Sequence, residues 1–390
     1  MKQVLKKQII EDNNIDTEEQ LRTLIIDGNS LLKLSLVDKR MNSKGEEYGA
    51  VLQFFWQMRK RITCNDFNFV YVFWDGDGSG QLRYKYYPDY KANRGKNYRD
   101  DEPQSDYERK LQEFYKRTID YYKNKEKKPV KRNETDDESF RRQRYIVQNM
   151  LEHLFVRQMM CDDVEGDDLI AFYVKHKKKN EKVVIFSGDK DITQLISDDV
   201  SVYIPQIKTI VTPENHEKLI GYTHENVLVK KIFCGDASDN IKGIKGMGDK
   251  TFFNLFPEAK SRKVTIDEVI ERSKQMIEER VSQKKKPLKV VENIVNKVTD
   301  GCQGDKIYEI NKKIIDLSEP LLTDEAVKEL CATMYAPIDP EGRDYGELYK
   351  IISDNEMNEL LDEDKFSLLF SCFDRVINSE KKLYEKTCFS

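Results

Sequence analysis

The chain is poor in the features that mark secreted, membrane-spanning or zinc-stapled proteins. Its seven cysteines (64, 161, 234, 302, 331, 372 and 388) form no CxxC pair and follow no regular spacing, and only four histidines accompany them. That speaks against a disulfide framework or a structural zinc site, and reduced thiols are the simplest reading. No apolar run approaches the ~20 residues that span a bilayer. Residues 1–20 are polar and lack the apolar core of a signal peptide, so they read as a short tail and the protein as soluble and intracellular. An excess of one charge is missing too: 66 Lys and Arg stand against 70 Asp and Glu, net −4. No global charge therefore advertises a nucleic-acid binder, and 390 residues are enough for two or three domains with real cores.

What the chain does have is acids placed just past short β-branched, apolar runs. Asp27 follows LII, Asp75 follows FVYVFW, and Glu165, Asp167 and Asp168 follow FVRQMMCDDV. Asp189 and Asp191 follow VVIFSG, and Asp236 and Asp239 sit in CGDASDN. Residues at the C-terminal ends of parallel strands project into one crevice, so these carboxylates converge although far apart in sequence. Two carboxylates ~5 Å apart repel by roughly 3 kcal/mol at an effective dielectric near 20. Such a cluster calls for cations, and oxygen-only ligands select Mg²⁺, Mn²⁺ or Ca²⁺ over zinc. The chemistry is that of phosphodiester hydrolysis.

Strands are expected at 22–27, 68–75, 155–160, 183–187 and 200–205, and helices at 49–62, 139–153, 167–179 and in DITQLI. SLLKLSL reads as the start of a helix or a partly buried loop. Strands alternating with helices predict an α/β fold with a central, mainly parallel sheet flanked by helices. Residues 82–135 differ in kind, with nine tyrosines and no continuous apolar face; within them 83–132 hold 16 Lys and Arg against 9 Asp and Glu. Charge runs are usually solvated faces. Tyrosines interleaved with Lys and Arg instead suit stacking and phosphate contact with single-stranded nucleic acid. After about residue 225 the pattern becomes helical, with a lysine-rich turn at Lys284–Lys286.

The segment Gly243-Ile-Lys-Gly246-Met-Gly248-Asp-Lys250 nearly spells a P-loop, but Asp249 intrudes before Lys250 and no strand leads into it. A helix-hairpin-helix type turn is the better reading, its exposed N–H groups receiving a phosphate backbone without reading bases. An ordinary glycine-rich connection is the bland alternative, and the neighbouring Asp236 and Asp239 weigh against it. Asp75-Gly-Asp77-Gly imitates an EF-hand start, yet Tyr86 stands where the loop needs Glu. Asp77 is thus a turn residue. Glu165, Asp167 and Asp168 also suit a helix N-terminus, so one of the three is allowed a structural role.

Together LIIDGNS, FWDGDGS with YYPDYKANR, DVEGDD, FSGDKDITQL and CGDASDNIKGIKGMGDK resemble, in family order, the motifs of the 5′ nucleases. These comprise flap endonucleases, the 5′-nuclease domains of bacterial DNA polymerases, and phage 5′→3′ exonucleases. The resemblance covers about residues 21–257. It implies a PIN-like 5′ nuclease core at 21–225 with a helical arch region at 82–150, a helix-hairpin-helix motif at 226–260, and a helical C-terminal part at 261–390. It implies two Mg²⁺ ions, replaceable by Mn²⁺, held by Asp27, Asp75, Glu165, Asp167, Asp168, Asp189, Asp191, Asp236 and Asp239. Asp75 and the 165–168 acids would serve mainly one ion and the later acids the other. Lys91 and Arg94 would face the scissile phosphate, with Asp27 as a further catalytic group. Arg83, Tyr90, Lys91, Arg94, Gly243, Gly246, Gly248 and Lys250 would contact DNA, with K⁺ at the glycine turn.

The implied substrates are DNA with 5′ flaps, nicks or free 5′ ends, or RNA/DNA hybrids. The implied enzyme is a monomer in the cytoplasm of a bacterium or phage-infected cell, acting in replication or repair. Two other readings stay open. A PIN-type endoribonuclease shares the sheet and acids but lacks the arch and glycine turn, and a non-catalytic branched-DNA binder would not need the full acid set.

Overall fold

The computed structural model describes residues 20–93 and 134–388. Short runs form β1 (Leu21–Asp27), β2 (Phe69–Asp75), β3 (Arg157–Cys161), β4 (Glu181–Phe186), β5 (Val200–Ile204) and β6 (Thr209–Val211), all but β3 (RQMMC) drawing on Leu, Val, Ile, Phe and Tyr. Such side chains suit a pleated surface covered on both faces. The sheet order is β3-β2-β1-β4-β5-β6, the first five strands parallel and β6 antiparallel to β5. This is the mainly parallel α/β sheet expected. The order reverses between β1 and β4, and the crevice beyond the carboxyl ends of the strands at such a switch point is where open α/β sheets take ligands.

Four helices frame the sheet: α1 (Gly28–Ser35), α2 (Gly49–Thr63), α3 (Asp136–His153) and α4 (Gly166–His176). The α3 helix opens on a reciprocal cap between Thr135 and Glu138 and buries Ile146, Val147, Met150 and Leu151 at helical spacing. Alternation along β1 sends Leu24 and Ile26 into the layer under α2 and α3. Ile25 goes to the opposite layer, against α4 residues such as Ile170 and Tyr173.

Two elements differ from expectation. The third strand starts at Arg157 rather than at residue 155, because Phe155 takes a left-handed backbone (φ 55°) that cannot extend. DITQLI forms a five-residue 3₁₀ turn, Asp191–Leu195, and not an α-helix. The connection from β4 to β5 is short, and β-branched Ile192 and Thr193 lose rotamer freedom in a helix.

Beyond the sheet come α5 (Pro213–Ile220), α6 (Val227–Cys234), the two-stranded ribbon β7 (Gly235–Asp236) and β8 (Ile241–Lys242), and α7 (Asp249–Leu255). Phe233, Ile244, Met247, Phe252 and Phe256 give this helix–ribbon–helix unit its own core. The rest is helical: α8 (Ile266–Ser282), α9 (Lys289–Val295), α10 (Ile307–Ile315), α11 (Asp324–Thr333), α12 (Tyr345–Asp354), α13 (Glu363–Phe370) and α14 (Asp374–Cys388). These helices finish the sheet's two layers. Leu317, Ala326 and Leu330 join the α4 side, and Leu348, Ile352, Phe370 and Val376 join the α2 side. A buried ion pair, Arg157–Glu380 at 2.6 Å, fastens α14 to β3. Among the described residues no helix is long and apolar enough to cross a membrane.

Candidate active site

Asp27 ends β1 and caps α1, so its carboxylate sits where strand turns to helix. It accepts hydrogen bonds from the Ser30 backbone N–H at 2.9 Å and from the Ser187 hydroxyl, just past β4, at 2.8 Å. Burial pushes its pKa up to about 7; the Ser30 bond opposes this, Asp75 adds to it, Ser187 opposes and Asp189 adds. Asp75 ends β2 and accepts from the Asn29 amide at 2.5 Å and from the Gly166 N–H, at the start of α4, at 2.9 Å. The Gly76 that follows has no room for a side chain, since an added Cβ would stand 1.8 Å from the Cys161 carbonyl. That close approach holds the ends of β2 and β3 together.

The phase of α4 sorts the next three acids. Glu165 and Asp168, three residues apart, share one side of the first turn, and Asp167 points another way. Burial raises the Asp167 pKa well above the ordinary carboxylate range, and Asp189, Asp27, Asp75 and Glu165 raise it further. Four acids, Asp27, Asp75, Asp167 and Asp189, thus feel one another across the crevice. Glu165 is different. Arg83 approaches it to 2.6 Å, Lys91 forms a second ion pair, and the Tyr90 hydroxyl donates at 2.9 Å. Against burial, Arg83 and Lys91 hold its pKa below the usual value.

The opposite wall comes from the unit after the sheet. Lys231 of α6 is nearly enclosed and pairs with both Asp191 and Asp236, the latter at 2.6 Å. Burial still pushes Asp191 up to about 7 against the pull of Lys231. Asp236 also accepts from the Ser238 N–H at 2.9 Å and hydroxyl at 2.6 Å; against burial, Lys231 and these bonds depress its pKa. Asp189 lies at the mouth of the crevice. Its pKa is raised by desolvation, lowered by Lys231, and raised again by Asp239 and Asp236. The Asp239 carboxylate accepts from Tyr90 at 3.3 Å, and its carbonyl accepts from the Lys91 N–H at 2.8 Å. Asn93 and Asn240 add side-chain bonds across the same seam, at 2.7 and 2.8 Å. The 84–93 loop is therefore stapled to the 237–240 loop.

All nine expected acids gather at this crevice, but the structure revises three expected contacts. Arg83, expected on DNA, is buried; it grips Asp168 at 2.5 Å and donates to the Ile314 carbonyl at 2.9 Å. Asp168, expected on a metal, is saturated by Arg83 and by the Leu321 N–H at 2.9 Å. It is a structural counter-ion. Tyr90, expected on DNA, lies buried between Glu165 and Asp239 and has no free face. Lys91 faces the acids, with its Nζ 4.7 Å from the Tyr90 ring centre. Arg94 and residues 94–133 of the expected arch region at 82–150 lie outside the described residues. In the glycine turn, Gly246 has φ 82°, and Gly246, Gly248 and Lys250 are exposed. Asp77 is an exposed turn residue, as expected.

Sequence reasoning missed Asn29, Arg144, Ser187 and Lys231. Arg144 of α3 lies 5.4 Å from the Trp74 ring and donates to the Asp75 carbonyl at 2.7 Å. The visible signal for Lys231 was a lysine pair inside the apolar run VLVKKIFC, five residues before Asp236.

The donor set fits a hard divalent cation. It is all oxygen, its carboxylates raise one another's pKa, and the buried Asn29 Oδ1 has no hydrogen-bond partner. Among the described residues no three His, Cys, Asp or Glu side chains are drawn tightly enough to hold an ion, and Lys91, Arg83 and Lys231 take up part of the acid set.

Residues 22–224 match the family model of the 5′-3′ exonuclease N-terminal resolvase-like domain. The chain is 30% identical over 162 residues to DNA polymerase I of Bacillus subtilis, covering 40% of this chain and 18% of that protein. It is 37% identical over 106 residues to a 5′-3′ exonuclease of Mycoplasmopsis pulmonis, covering 26% of this chain and 35% of the other. The matches thus span about a third or less of these relatives. A bacteriophage T5 flap endonuclease, solved as a pseudo-enzyme-product complex with DNA and metal ions, shares the fold at a TM-score of 0.51 and 15% identity, over 92% of this chain and 99% of that one.

Proposed function

This chain belongs to the 5′-3′ exonuclease family, and from that premise we propose that it hydrolyses phosphodiesters near the 5′ ends of flapped, nicked or RNA-primed DNA. The observation that carries the reading is the mutual crowding of Asp27, Asp75 and Asp167 at the carboxyl edge of the sheet, where Ser187 and Asn29 orient two of these carboxylates without cancelling their charge. Asp27, Asp75, Glu165 and Asp167 would hold one Mg²⁺ or Mn²⁺, and Asp189, Asp191, Asp236 and Asp239 a second. Bound there, such cations supply Lewis acidity for water activation and for the leaving 3′ oxygen.

The chain's own groups do the rest. Ser187 and Asn29 aim Asp27 and Asp75. Lys91, which pairs with Glu165, would meet the phosphate together with Arg94, as preorganised cations do. Lys231, which pairs with Asp191 and Asp236, would hold those carboxylates in place on the opposite wall. The exposed N–H groups of the 243–248 turn would take a duplex backbone phosphate, and the same turn would hold the K⁺. In this scheme 21–225 is the nuclease core including the 82–150 arch region, 226–260 holds DNA, and 261–390 completes the sheet's layers. The enzyme acts as a cytoplasmic monomer in replication or repair.

The test is to incubate the protein with 5′-labelled flap, nicked and RNA-primed duplexes in Mg²⁺ or EDTA and map the products. Mg²⁺-dependent products with 5′-phosphate and 3′-hydroxyl ends are expected. Metal-independent cleavage, or binding without any product, would refute the reading.

A further inference from the structure

The lysine-rich turn noted in the sequence is not absorbed by the active site. It forms the tip of a helical hairpin built from α8 and α9. The first half of α8 is anchored, with Val269 buried and Ile266, Ile270 and Met276 packed on the core of the glycine-turn unit. Past that point the hairpin leaves the core, and residues 281–286 are all exposed. Residues 280–291 contain Arg280, Lys284, Lys285, Lys286 and Lys289 and no acid, whereas the α8 shaft at 266–279 holds five acids against two cations.

The tip is ordered. The Lys284 N–H bonds to the Val281 carbonyl at 2.9 Å, the Lys285 N–H to the Arg280 carbonyl at 2.8 Å, and the Arg280 Nε to the Lys286 carbonyl at 2.8 Å. Lys284 adopts φ 55° to close the turn. Lys289 pairs with Glu292, and Lys285 donates to Gln283. Among the described residues Lys284 and Lys286 meet no carboxylate.

The far end of α9 is fixed to the glycine turn. The Lys245 N–H bonds to the Val298 carbonyl at 2.9 Å, the Asn293 amide to the Lys245 carbonyl at 2.9 Å, and the Thr299 hydroxyl to the Gly243 carbonyl at 2.8 Å. The helix α9, seven residues and so roughly 10 Å long, runs between the lysine tip and that turn. Successive phosphates of one strand lie within such a distance, and an acidic shaft next to a basic tip confines the attraction to the tip.

We propose that the Lys284–Lys286 tip is a second backbone clamp on the same DNA, gripping the duplex arm beyond the phosphate held at the 243–248 turn. The proposal rests on the reading of that turn as a duplex contact. It gives the chain a longer duplex footprint and sets a minimum arm length for tight binding. The contact is with phosphates, so it is indifferent to base sequence.

The test measures anisotropy in EDTA, so that no DNA is cut, using duplexes with a 5′ single-stranded extension and an arm of either two helical turns or half a turn. The variants are the triple change Lys284→Ala, Lys285→Ala, Lys286→Ala, and Lys250→Ala in the glycine turn. For the triple variant, affinity for the long arm should fall about tenfold or more and its log–log salt slope should flatten by about 2 to 3. Affinity for the short arm should stay within about twofold, with an unchanged melting midpoint. Equal losses on both arms, or no loss on the long arm, would overturn the clamp. Weakening by Lys250→Ala together with an unaffected triple variant would overturn the clamp alone. If neither variant weakens binding, the duplex reading of the turn itself fails.

Discussion

Two groups of acids line one crevice and are held in opposite ways. Asp27 and Asp75 are positioned by neutral donors, namely Ser30, Ser187, Asn29 and the Gly166 N–H, which orient a carboxylate without cancelling its charge. Asp167, on the same side, is surrounded by other acids. Glu165, Asp168, Asp191 and Asp236 are instead held by Arg83, Lys91 and Lys231. The first group is a demand for positive charge that the fold leaves open. The second is satisfied by cationic side chains brought in from distant segments. A carboxylate's neighbours, rather than its mere presence at a strand end, decide whether it can serve a cation.

The widest separation between the groups should come from Asp167→Asn set beside Arg83→Ala. Asp167→Asn should abolish cleavage while leaving the metal-free melting midpoint equal or higher, since it removes a crowded charge. Retained cleavage would remove Asp167 from the site. Arg83→Ala strands two buried carboxylates and should lower stability by about 3–5 kcal/mol in urea unfolding. A change under about 1 kcal/mol would show that Asp168 and Glu165 do not depend on that guanidinium.

Asp27 tests the open demand through pH. Its folded pKa, about 7, lies above its unfolded value, 3.8, so its favourable contribution is present below 3.8 and is lost as pH rises through 7. In EDTA, Asp27→Asn should therefore gain stability on the wild type between pH 4 and 8, by of order 3 kcal/mol at the upper end. Parallel stability curves for the two proteins would contradict the crowding. Adding Mg²⁺ should stabilise the wild type more at pH 8 than at pH 5, because ligation needs ionised carboxylates.

The smallest effect is expected at the second wall. Lys231→Met removes the cation that competes for Asp191 and Asp236, so calorimetric titration should show divalent binding tightened several-fold, by about 1 kcal/mol. Weaker binding would mean that Lys231 assists the metal site.

Much of the fold was readable because parallel strands buried on both faces leave near-continuous runs such as NFVYVFW and VVIF. The acid set was readable for a related reason, since strand ends must meet at one edge of the sheet. The failures are equally physical. Arg83 and Tyr90 carry groups suited to DNA, but a four-residue helical turn at 81–84 and the stapled loop after it turn them inward. Composition does not reveal which way a side chain faces. Phe155 in a left-handed conformation and the short 191–195 turn escaped because propensity averages over neighbours and does not see a single backbone exception.

The sequence by itself determined the α/β alternation, the positions of nine acids at element ends and the glycine turn, because each depends on local periodicity and residue chemistry. Only the tertiary structure decided which acids stay open to a cation. That depends on the rotation of α4, which separates Asp167 from Glu165 and Asp168, and on the arrival of Arg83, Lys91 and Lys231 from distant segments. It also decided that the helices beyond residue 316 close both layers of the sheet. Charge compensation and core closure are set by distances between residues far apart in the chain, and those distances exist only once it has folded.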